Sequence, residues 1–200
     1  MKSLIFLLLL TAQTTLAAEV TVNVKTTAGG AAQDAVVVFN PVDVNPPPTH
    51  DTVRIDQIDK QFDPKVTVLR TGTAVTFPNS DQIRHNVYSF SPAKIFALQL
   101  YAGSPMTPVT FDKPGLVVLG CNIHDNMLAF VAVVDSPYFA KVSQSGTVKL
   151  NLPRGRYGLR VWHPQLNAAL PLRPVDVQNA PLTLSVALDL QGHDPVAAWH

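Results

Sequence analysis

Soft and borderline metal-binding groups crowd into one short stretch of this chain. Residues 120–127 read Gly-Cys-Asn-Ile-His-Asp-Asn-Met, placing a thiol, an imidazole and a thioether at Cys121, His124 and Met127. A second imidazole, His85, stands at the head of a predicted strand, Asn86 to Phe90. Two imidazole nitrogens and a thiolate, with a weak axial thioether, are the type 1 copper set and serve both Cu(I) and Cu(II). If the protein prevents rearrangement between the two states, little reorganisation accompanies electron transfer. Zinc competes for cysteine and histidine, but a thioether is a poor zinc ligand. Two residues between Cys121 and His124 let the loop turn back around one ion. Two more bring Met127 to an axial side, and His85 must then arrive from a neighbouring strand. The expectation is one copper per chain, held by His85, Cys121, His124 and Met127. Taken singly, a free cysteine is a small buried hydrophobe, a methionine is core filling, and a histidine is satisfied or exposed. Their coincidence points to metal.

The cysteine count sharpens this. The chain has 200 residues and a single cysteine, so an intrachain disulfide and an all-cysteine cluster are both excluded. Met1-Lys2, the apolar run Ile5–Leu10 and the small residues of Thr15-Leu16-Ala17-Ala18 have the form of a secretory leader cleaved after Ala17 or Ala18. The apolar run is too short for a membrane anchor, and no later stretch is long enough to span a bilayer. The expected location is the periplasm, or the extracellular space where there is no outer membrane. An exported single thiol must be buried, paired in trans or committed to chemistry. Lys+Arg number 15 against 14 Asp+Glu, a balance with no basic face for nucleic acid.

The elements that must position these groups read as short β-type runs separated by turns. Val20–Val24 alternates, Gly29-Gly30 marks a turn, and Asp34–Phe39 continues as the second arm of an expected hairpin. Pro46-Pro47-Pro48 centres a loop. Further strands are expected over 53–58, 65–70, 74–78, 86–90, 95–101, 116–120, 128–134, 147–152, 157–162 and 182–190. Many short strands at this spacing mean an all-β sandwich or barrel. Leu128–Val134 is apolar without interruption and suits a buried strand. The two ends are each too small for a stable core alone. Packed together they would form one small sandwich with the middle segment inserted, or else the edges of one continuous sheet system.

On these residues the chain resembles the cupredoxins. The stretches Phe62-Asp63-Pro64-Lys65-Val66, Gly72-Thr73-Ala74-Val75-Thr76-Phe77, Asn79-Ser80-Asp81 and His85-Asn86-Val87 are similar to the run before that family's first ligand histidine. The short Cys121–Met127 loop looks most like the amicyanin type. The resemblance covers residues 54 to 136 and implies a Greek-key sandwich with His85, Cys121, His124 and Met127 as copper ligands. It also implies that Asn86 ties the ligand loops and donates towards the thiolate. Ile123 stands where a proline is usual, and Asp125 puts an acid beside the expected electron-exit edge. The whole chain resembles exported proteins labelled methylamine utilisation or plastocyanin-like. The flanks, Val20–Phe39 and Gly146–Val161, resemble a carboxypeptidase regulatory-like or prealbumin-like sandwich.

The implied organisation is a leader (1–17), half of a small sandwich (18–53), the cupredoxin domain (54–136), the other half (137–190) and a frayed tail (191–200). The implied function is a one-electron shuttle, not an enzyme, exchanging electrons with a cytochrome c or a dehydrogenase. His124 would present its ring edge at an apolar patch including Ile123 and Leu128, with His85 more buried. Copper delivery or storage, and a metal-stabilised interaction module, are the alternatives. His163 is expected to be structural, and His193 and His200 have no metal role.

Overall fold

The computed structural model describes residues 17–105 and 107–199. The apolar leader, Met106 and His200 lie outside the described residues; Ala17 and Ala18, at the expected cleavage point, open the first strand. The strands are β1 (Ala17–Thr26), β2 (Val36–Pro41), β3 (Thr52–Arg54), β4 (Asp56–Ile58), β5 (Gln61–Asp63), β6 (Val66–Arg70), β7 (Thr73–Thr76), β8 (His85–Ser91) and β9 (Lys94–Tyr101). They continue as β10 (Val109–Phe111), β11 (Gly115–Gly120), β12 (Leu128–Val134), β13 (Phe139–Lys141), β14 (Thr147–Pro153), β15 (Gly155–Trp162), β16 (Arg173–Val177) and β17 (Leu182–Leu188). A 3-10 turn, Ala197–Trp199, follows. The fold is all-β, as the alternating runs imply. Among the described residues no helix is long and apolar enough to cross a membrane.

The sheets are β14-β1-β17, β13-β2-β15-β16, β6-β12-β11-β8-β9 and β10-β7-β3, with β4-β5 as a separate hairpin. The arms β1 and β2 do not form the expected hairpin. β1 lies between β14 and β17, whereas β2 lies between β13 and β15. The reason is in the burial. Val20, Val22 and Val24 of β1 are buried on one face, while Val36 through Phe39 of β2 are buried on both. Such arms satisfy more apolar surface facing each other across a core than lying side by side.

Two apolar cores result. One gathers Ile55, Phe62, Leu69, Val75, Phe77, Val87, Phe111, Val117, Leu119, Cys121, Met127, Ala129, Val131 and Val133. The other takes Phe130, Ala132 and Val134 together with β1, β2, β14 and β15 residues and Trp162. Strand β12 therefore contributes alternate residues to opposite cores, as a period of two requires. Its seven apolar residues are the signature of a strand covered on both faces.

The C-terminal segment is not frayed. Trp199 is buried against Trp162, with ring centroids 5.7 Å apart, and Trp162 Nε1–H donates to the Pro195 carbonyl at 3.0 Å. The two indole rings supply the apolar area that holds this segment down.

Candidate metal centre

Three adjacent strands of one sheet deliver the site. The loop Cys121–Met127 is the whole connection between β11 and β12, whose last pair is Gly120 with Leu128. Val117, Leu119 and Cys121 share the inward face of β11, and Val133, Val131, Ala129 and Met127 that of β12. Cys121 and Met127 thus continue two inward faces into the loop and flank its base, both buried. On the other side β8 pairs with β11 at Tyr88–Gly120 and carries His85 at its start. An irregularity between His85 and Val87 re-aims the chain there.

The candidate ligand atoms of His85, Cys121 and His124 all lie within 4.8 Å of one another. His85 Nδ1 is 3.9 Å from Cys121 Sγ, and the His85 and His124 rings sit 5.0 Å apart, tilted by 60°. His85 is fully buried and His124 half-buried, the expected order. The structure therefore brings together three of the four sequence-derived residues, and places Met127 in the same core at the base of their loop. The Met127 N–H donates to the His124 carbonyl at 2.9 Å, closing the loop's last turn.

The polar accounting favours an ion here. His124 Nδ1 is buried with no hydrogen-bond partner among the described residues. Buried nitrogens are ordinarily paired, and a lone pair aimed among a thiol and a second imidazole fits a soft metal ion. Cys121 is a free, buried thiol.

Around these groups lies a hydrogen-bonded frame that sequence reading foresaw only in part. Asn86 does tie the loops: its Oδ1 accepts from the Asn122 backbone N–H at 2.9 Å and from the Cys121 thiol at 3.3 Å. The side chain therefore accepts at the sulfur rather than donating to it, because the Asn122 N–H fixes which amide atom faces the loop. Asp81 had no assigned role. Its Oδ2 is 2.7 Å from His85 Nε2, and its two oxygens accept from the backbone N–H groups of Asp59 (2.7 Å) and Lys60 (2.9 Å). Burial raises the Asp81 carboxyl, but those donors and His85 outweigh it and hold it below the usual carboxylate range. Sequence reading placed Asp81 in the run before His85 but gave it no role, although its spacing, four residues before His85, was a signal. Tyr101 caps the frame. Its hydroxyl donates to the Phe77 carbonyl at 2.6 Å and accepts from Gln57 Nε2 at 2.5 Å, and burial pushes it up to about 12. His163 is satisfied structurally, against the Gln33 carbonyl and the Gln165 N–H.

No protein-family model matches the chain, and neither does any curated protein sequence. Among solved structures the chain is similar to the Cu-containing nitrite reductase of Thermus scotoductus SA-01 at 26% identity, over 48% of this chain and 26% of that one, with a TM-score of 0.39. The match thus spans about a quarter of the reductase. The pseudoazurin of Methylobacterium extorquens AM1 matches at 26% identity over 43% of this chain and 77% of its own, with a TM-score of 0.37. A reduced amicyanin variant matches at 18% identity over 50% and 99%, with a TM-score of 0.38. The chain is thus similar, over half its length or less, to cupredoxins of known structure.

Proposed function

We propose that the protein is an exported electron carrier in which His85, Cys121 and His124 would hold one type 1 copper, with Met127 as a further, weaker ligand. The observation that carries this reading is the convergence of two imidazoles and the one thiol, with His124 Nδ1 buried and unpartnered. Bound copper would supply a one-electron couple, with the thiolate as its strongest electronic link to the chain. The protein's own part is to hold the ligands still. Strand pairing fixes Cys121 and Met127 at the loop base, Asn86 ties that loop to β8, and full burial keeps water from His85.

His124, only half-buried, is the edge through which electrons leave. The exposed Ile123 and Leu128 form an apolar rim for a small, transient contact with a redox protein such as a cytochrome c or a dehydrogenase. The proposed compartment is the periplasm. Residues 54–136 form the copper-bearing unit, inserted between the two halves of a flanking sandwich; the pairing of β1 and β2 with strands beyond residue 137 supports that division.

Titration of the purified protein with copper, followed by optical and paramagnetic spectra, is the test. The expected result is one copper per chain and an intense blue colour, lost in Cys121→Ser. A protein that takes up no stoichiometric copper after full loading overturns the assignment.

A further inference from the structure

A carboxylate, not water or a backbone carbonyl, meets the far nitrogen of the buried His85, and the chain is built to keep it there. Asp81 Oδ2 lies 2.7 Å from His85 Nε2. The carboxylate is in turn clamped by the tip of the β4–β5 hairpin, where Asp59 N–H reaches Oδ1 and Lys60 N–H reaches Oδ2. Those two tip residues have φ of 53° and 59°. Positive φ at both central residues is what a two-residue type I′ hairpin turn requires, and this conformation aims both N–H groups at one carboxylate. The loop bearing Asp81 is fastened to the same hairpin, where Ser80 Oγ donates to Asp56 and the Ser80 N–H donates to the Gln57 carbonyl, and within the loop Asn79 Oδ1 accepts from the Asp81 N–H.

We propose that Asp81, locked by the hairpin tip, is a positioning residue that fixes the His85 tautomer and biases the copper couple towards Cu(II). The inference rests on the copper reading. A carboxylate whose oxygens receive two backbone N–H groups is an acceptor, so His85 Nε2 carries the proton and Nδ1 keeps its lone pair. Nδ1 is the atom that faces Cys121 Sγ. An anion hydrogen-bonded to a ligating imidazole makes it a stronger donor and favours the more positive metal ion. The hairpin β4–β5 thus acts on the metal through two relays, backbone to carboxylate and carboxylate to ring.

Two measurements test this. Nitrogen-15 and proton spectra of the imidazoles, recorded on the metal-free and the Cu(I) protein, should show His85 protonated at Nε2 in both, with slow exchange of that proton. Protonation at Nδ1 in the metal-free protein overturns the tautomer assignment, whatever the metal chemistry. In the copper-loaded protein, Asp81→Asn should still bind one copper, and the couple should shift roughly tenfold towards Cu(I), about 59 mV for one electron. The exposed Asp43→Asn, made as a charge control, should leave the potential unchanged. A loaded Asp81→Asn protein with the wild-type potential overturns the redox role. If Asp81→Asn does not fold, the His85 ring spectra of the wild-type protein still decide the tautomer. A wild-type protein that takes no copper overturns instead the reading beneath it.

Discussion

Gly120 and Asn86 show how closely the residues around Cys121 are fitted. A Cβ at Gly120 would lie 2.8 Å from both Cζ and Oη of Tyr88, so the absent side chain makes room for that ring one residue before the thiol. Gly120→Ala should therefore cost about 1–3 kcal/mol by overpacking, read by urea denaturation. The penalty should largely disappear in a Tyr88→Ala background, because only the ring stands in the way; a penalty that persists there would mean that the glycine is required by its backbone. Asn86→Ala removes the acceptor shared by the Asn122 N–H and the Cys121 thiol, and should lower stability by about 1 kcal/mol. In the copper-loaded protein it should also speed metal loss to a chelator, since the loop then has one tie fewer to β8.

At the scale of the element, β12 lies between two cores, and its alternate positions probe them separately. Phe130 packs edge-on against Trp162 of β15 with centroids 6.0 Å apart, whereas Val131 belongs to the core that holds Cys121 and Met127. Phe130→Ala should cost about 3–5 kcal/mol and leave the spectrum of the loaded centre unchanged. Val131→Ala should cost about 2 kcal/mol and broaden that spectrum, because the cavity opens beneath the ligand loop. Equal spectral effects from both would mean that the two cores do not act separately. Much of this was legible from sequence: β8, β11 and β12 stand where alternation and apolar runs put them, and the three converging residues His85, Cys121 and His124 lie at their ends or in the loop between them. The short strands β5, β10, β13 and β16 carried too few residues to show a period. The crossing of β1 and β2 into different sheets was also hidden, since alternation tells which face is buried but not which strand is the neighbour. Asp81 was hidden for a related reason, because its partners Asp59 and Lys60 reach it only through a hairpin tip at positive φ.

At the scale of the whole molecule, the sheets stack so that the strands after residue 137 cover the back of the sheet that bears the centre. Phe130 against Trp162 and Lys141 Nζ on the Val66 carbonyl join the two across that seam. His163 pins the far end of β15 to the connection between β1 and β2, and its protonation state matters to the assembly. A backbone carbonyl only accepts, so His163 Nε2–H donates to Gln33 at 3.1 Å, and Nδ1 must then accept the Gln165 N–H at 3.0 Å. A second proton on Nδ1 would set a donor against a donor. Burial holds the imidazole below its ordinary value, although the Gln33 carbonyl and Asp34 pull the other way. The unfolded chain takes up this proton near pH 6.5, and the folded chain only at lower pH. Between those two values the unfolded state binds more protons, so the contribution is complete above about 6.5, shrinks as pH falls and is lost below the folded value. His163→Gln should therefore be less stable than the wild type at pH 7, by about 1 kcal/mol for the lost anchor. In metal-free protein followed by urea denaturation, that gap should narrow steadily as pH is lowered from 7 to 5. A gap that stays constant across this range would show that His163 takes up its proton at the same pH in the folded and the unfolded chain, and that the seam carries no pH dependence through it.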